Sequence, residues 1–312
     1  MTVAISLLIG AALVGWFAPG FLSHRVARGG DPLVAIVAWL TAAVAVVLTT
    51  AVGIVLVLLP DHGFSEPLVA ALHNCWSSIQ HGTTPGVEAV SGIVGALLLL
   101  GLGARLGTTA THSARRRAQV RADHLATLRI AARRDGTTLW LDHDEPLAFS
   151  LAGDPGIIVA TEGLTEHLTQ AQVDAVLTHE RAHLTGRHHL IVAIADALAH
   201  TFPFLPLFKL APRTLRELVE LAADSTAARA CGADTVRAAL LKVSQHGAPG
   251  TALTMSGSSI DVRISRLRAG RRPTGRVRQL VNCAVAGVIT FALPTVAASG
   301  AVLMVVAFAC PV

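Results

Sequence analysis

Four long apolar stretches constrain this 312-residue chain more than any other feature. A helix that crosses a bilayer needs roughly 20 mainly apolar residues. Val3 to Phe21, Leu33 to Leu59, Val87 to Leu106 and Leu280 to Phe308 are each about that long or longer. Gly15 and Pro19 weaken the end of the first, and Pro294 marks a kink or break in the fourth. Composition agrees. Charged residues make up only 14% of the chain, where a soluble domain usually carries about 25%. No basic residue precedes the first stretch, so it reads as a span and not as a secretory signal.

Arginine placement orients these spans. Arg25 and Arg28 lie between the first two, while residues 60–86 contain no Lys or Arg. Arg105, Arg115, Arg116, Arg117 and Arg121 follow the third, and a cluster from Arg263 to Arg278 precedes the fourth. The basic side is the cytoplasmic one. Both termini are then expected outside, in a multi-pass cell-membrane protein. Three regions follow: a three-span part (1–106), a cytoplasmic domain (107–278), and a last span with a short outer tail (279–312). The net charge of +5 suits anionic lipid headgroups. No stacking aromatics accompany the arginines, so direct nucleic-acid binding is not expected. Cys75 and Cys310 share the outer side, as a disulfide or as two free thiols; Cys231 and Cys283 read as packing residues.

The cytoplasmic region has an α+β pattern. His112 to Arg134 reads as a helix leaving the membrane. Thr137–Leu141, Leu147–Leu151 and Ile157–Thr161 read as short strands, the last preceded by the turn Asp154-Pro155-Gly156. A helix around Thr165 follows. Thr169 with Gln172 then forms a capping-box start for a helix carrying Val173, Val176, Leu177 and Leu184 on its apolar side. Residues 191–210 are apolar but broken by Pro203 and Pro206. They read as a helix embedded in the domain and touching the membrane surface, with a re-entrant hairpin or a fifth span as alternatives.

The capped helix carries His179-Glu180-Arg181-Ala182-His183, an H-E-x-x-H. Residues i and i+4 share a helix face, so both imidazoles can bind one zinc ion while Glu180 serves as general base. In a chain with 14 histidines this motif needs a second feature. Glu220-Leu221-Ala222-Ala223-Asp224 supplies it, on a helix expected over Thr214–Cys231. A catalytic zinc takes three protein ligands, and Glu220 is the expected third, ahead of Glu217. Asp224, one turn on, can accept the outer N–H of a ligating histidine. A solvated helix face is the bland alternative, and the apolar residues between the two acids argue against it.

H-E-R-A-H with an E-x-x-A-D helix resembles the membrane gluzincin peptidases, over roughly Asp142 to Leu267. One branch includes the HtpX-type and CAAX prenyl proteases, the other the BlaR/MecR antirepressor peptidases. Three spans before the domain and one after it resemble the second more closely. That branch carries an external penicillin-binding sensor domain after the last span, which this chain, ending at Val312, is expected to lack. The resemblance implies a gluzincin-like zinc peptidase domain acting on a protein or peptide, with a BlaI-like transcriptional repressor as the leading substrate. HtpX-like quality control is the runner-up. It also implies that substrate adds as a strand along Ala148, Phe149, Ser150 and Leu151. The HtpX-like branch often has a histidine before its late arginine, and residues 256–261 hold none. The oxyanion stabiliser is thus open between Arg263, His188 and His189; the two histidines read more simply as interfacial residues. A non-catalytic transducer with structural zinc is the alternative from another class.

Overall fold

The computed structural model describes residues 2–27, 30–58, 94, 96–97, 100–116, 118–119, 122, 132–245, 257–269 and 275–309. Cys75, Cys310, Arg117, Arg121 and half of the expected third span lie outside the described residues.

Among the described residues, three helices are long and apolar enough to cross a membrane: α1 (Thr2–Ala27), α2 (Pro32–Leu58) and α9 (Arg276–Ala309). α1 continues through Pro19 to Ala27, and α9 continues through Pro294, so Pro294 does not break its helix. Pro294 is used for packing. A Cβ on Gly10 would collide with the carbonyl oxygen of Pro294 and lie 2.7 Å from Ala298 N. Only glycine allows α1 and α9 to approach this closely. Thr41 of α2 and Thr290 of α9 are hydrogen-bonded through their hydroxyls. Residues 100–116 are also helical.

The domain begins with a four-stranded sheet of order β1-β2-β4-β3: β1 (Ala132–Asp135), β2 (Thr138–Leu141), β3 (Ala148–Leu151) and β4 (Ile157–Thr161). β2 and β4 pair in parallel, the other neighbours antiparallel. β1 corrects the sequence reading, which continued a helix to Arg134. Gly136, at φ 57°, makes a two-residue turn that folds Ala132–Asp135 back onto β2. That local turn outweighs the helix propensity of an Ala/Arg-rich run.

Seven helices are described after the sheet begins. They are α3 (Glu162–His167), α4 (Gln170–Thr185), α5 (His188–Thr201), α6 (Pro206–Cys231), α7 (Ala233–Gln245), α8 (Gly257–Arg268) and the long apolar helix α9. Gln172 caps the start of α4 by accepting from Thr169 N–H at 3.1 Å. Residues 191–210 are divided between α5 and α6, which starts at Pro206 rather than Thr214. Proline at the first position of a helix needs no N–H partner, and its φ already suits a helix. Three buried apolar clusters result among the described residues, the smallest being Ala175, Ala227, Val236 and Leu267. Trp140, Ile158, Val173, Leu177 and Ala239 close the sheet against α4 and α7. Leu207, Phe208, Leu215 and Leu218 of α6 join Val14, Trp39, Ala42 and Val46 of the apolar helices α1 and α2 in one buried cluster.

Gly10→Val is expected to destabilise the α1–α9 crossing by about 1–3 kcal/mol through overpacking. Thermal unfolding in detergent micelles would show this as a lower Tm.

Candidate metal centre

α4 and α6 pack side by side and place two histidines opposite two acids. His179 Nε2 and His183 Nε2 are 3.1 Å apart. Glu220 Oε2 is 3.3 Å from His179 Nε2, and Oε1 is 3.4 Å from His183 Nε2. A tetrahedral centre with bonds of about 2.05 Å sets its ligand atoms about 3.3 Å apart. The three donors therefore have the spacing expected of ligands around one tetrahedral metal ion. They could hold one metal ion together. Glu217, the competing ligand, turns outward and pairs with Arg213 at 3.2 Å.

Behind the donors lies a second layer. Asp224, only 3% exposed, accepts from His179 Nδ1 at 3.0 Å. It is held in turn by Arg263 of α8, whose Nε and NH2 reach its two oxygens at 2.6 and 2.7 Å. Arg263 NH1 is 3.4 Å from Glu220. His183 Nδ1 meets His188 Nδ1 at 3.0 Å. His188 is buried, not interfacial as the sequence suggested; His189 is exposed at the cleft rim. The chain makes the turn with Gly186, where an added Cβ would lie 2.5 Å from His188 Nε2, and with Arg187 at φ 49°. The sequence signal for His188 was this glycine just past a helix end, which marks a sharp return.

Burial and charge set the protonation states. Burial disfavours the His179 cation, but Asp224 and Glu220 outweigh it and raise its pKa to about 10. Burial lowers His183 and His188 to about 4, so both are neutral at pH 7. Burial works against the Glu220 carboxylate, yet its partner His179 holds it at about 2. Asp224 is likewise held low, burial being outweighed first by Arg263 and then by His179. Glu180 is pushed up by burial, against the opposing pull of His179 and a hydrogen bond from Ser150. Ser150 sits on β3, the sheet edge, and both residues line a cleft of about 650 Å³. Leu147, Phe149, Val176, Val192 and Val219 make much of that cleft apolar.

Two helix-borne histidines, a glutamate beside the first and a carboxylate from a second helix are the donor set of a metallopeptidase centre. Residues 112–216, about a third of the chain, match the family model for peptidase family M48. The match includes His179, Glu180 and His183 and ends before Glu220; it supports an M48 family metallopeptidase. Comparisons with curated proteins and with solved structures give no match.

Zinc requires the neutral His179 ring, whereas the metal-free ring is a cation below about 10. Binding at pH 7 is expected to release about one proton, and affinity to rise about tenfold per pH unit up to that value. Calorimetry in buffers of different ionisation enthalpy measures both. His188→Ala is expected to weaken zinc binding about 10–100-fold, with partial rescue in His188→Asn. Competition with a chromophoric chelator reads this directly.

Proposed function

We propose that this protein is a membrane-embedded zinc endopeptidase that cuts a cytoplasmic or membrane-proximal protein. The observation that carries this reading is the spacing of His179, His183 and Glu220, with Glu180 beside them facing an apolar cleft. Zinc held by these three residues supplies Lewis-acid activation of water and of the scissile carbonyl.

The other roles belong to the chain. Glu180 takes the proton of the attacking water and returns it to the departing amine. Its burial raises its pKa, which favours this return. Ser150 lines the same cleft as Glu180 and favours its carboxylate form. Asp224 and His188 orient the two ligating rings from behind, and Arg263 locks Asp224. Arg263, whose Nη1 stands 3.4 Å from the ligand Glu220, is the candidate for the oxyanion role. The substrate adds as a strand along Ala148–Leu151, where β3 forms one edge of the sheet. A closed structural zinc site has no use for a general base, which argues against the non-catalytic transducer.

In this reading residues 1–106 carry three spans, 107–278 the peptidase domain and 279–312 the fourth span, and the arginine pattern puts the domain on the cytoplasmic side. A BlaI-like repressor is the leading substrate, and membrane proteins under quality control are the second. The two are told apart by offering each to the reconstituted protein.

Glu180→Gln is expected to keep zinc and to lose at least about 10³-fold in cleavage rate. Glu220→Ala loses the metal, and Glu217→Ala keeps both metal and activity. Equal cleavage by wild type and Glu180→Gln would sink the mechanism. A thiol probe should fail to reach Ser113→Cys from outside intact cells; labelling there would reverse the orientation.

A further inference from the structure

α5 and α6 meet in the apolar segment Thr201-Phe202-Pro203-Phe204-Leu205-Pro206. Its depth can be read against α1 and α2. Leu205 packs on Gly15, with Cδ2 3.1 Å from where a Cβ would stand. Gly15 lies about 14 Å along the axis from His24, where the apolar part of α1 ends. The Trp39 indole donates to Leu207 O at 3.2 Å. Trp39 lies about 10 Å inside the start of α2 at Pro32. Both helices thus place the 201–206 tip about 10 Å or more beyond the level at which α1 and α2 join.

The chemistry of the tip suits that depth. Pro203 and Pro206 carry no N–H. Phe202 N–H reaches Leu198 O at 2.8 Å, and Leu205 N–H reaches Phe202 O at 3.3 Å. Carbonyls near the end of α5 also find donors within the protein. The Thr201 hydroxyl serves Ala197 O at 2.8 Å, and the Arg105 guanidinium serves His200 O at 2.7 Å. Non-helical backbone at membrane depth needs partners for its polar groups within the protein, and these bonds supply part of them. The outward side chains are apolar: Phe204 is 66% exposed, and Leu210 and Ile194 are exposed on the same pair of helices. They match the exposed face of α1, where Phe17 is 67% exposed beside Trp16. Lys209, exposed near the tip, has a stem long enough to carry its charge toward the headgroups.

We propose that α5 and α6 form a re-entrant hairpin whose tip, residues 201–206, is inserted into the acyl region of the leaflet nearest the α1–α2 connection. This rests on reading α1, α2 and α9 as membrane spans. It also narrows the substrate class. His188 and Glu220 stand about 20 Å from the tip along α5 and α6, which sets the cleft at headgroup level. Val192, Ala193 and the Asp196–Arg216 ion pair (2.8 Å) line the cleft on its hairpin side. The segment cut is then one that already lies along the bilayer surface.

The test uses the wild-type protein in phosphatidylcholine–phosphatidylglycerol liposomes containing a phospholipid with a diazirine on its acyl chain. After photolysis, adducts are located by mass spectrometry. Phe204 and Leu210 should be labelled as strongly as Phe17, and about tenfold more than Glu145 on the exposed β2–β3 connection. Labelling of Phe17 with only the Glu145 level at Phe204 overturns the insertion. The Glu145 level at Phe17 as well overturns the membrane reading, and the hairpin with it.

Discussion

Burying Asp224 is the constraint on which the centre depends. A carboxylate taken out of water at this depth is costly unless it is fully paired. Arg263 grips it from one side and His179 from the other. Satisfying this one charge fixes the His179 ring, which fixes the angle at which its Nε2 meets Glu220. It also draws α8, far along the chain, against α6. The donors are spaced for a metal because the charges behind them admit few other arrangements.

α6 links this centre to the membrane part. Its first turns pack on Trp39 and Val14, and its later turns carry Glu220 and Asp224. One helix thus belongs to both the apolar cluster of the spans and the polar cluster of the site. Its composition follows that division: Pro206 to Leu210 is mostly apolar, while the buried acids come three turns later, where partners wait on α4 and α8.

The sequence made the centre legible because its signals are local. H-E-x-x-H at helical spacing, the acidic pair one turn apart and the Thr169–Gln172 cap all lie within single helices. The strands bounded by Asp-Pro-Gly were equally readable. What escaped depends on contacts between elements. Ala132–Asp135 looks helical until Gly136 turns it onto β2. His188 looks interfacial until the Gly186–Arg187 return sets it against His183. Pro294 looks like a kink or break, yet α9 runs through it and packs its carbonyl against Gly10 of α1. Arg263 belonged by composition to a basic run, and only α8 packing reveals it as the partner of Asp224.

The shared cluster of α6 with α1 and α2 bears on what kind of unit this is. A fragment cut free of the spans would leave Leu207, Phe208, Leu215 and Leu218 facing water, and with them the helix that holds half of the centre. The metal centre therefore depends on α1 and α2 for the footing of one of its two helices, and the region from the sheet to α8 is not a free-standing unit.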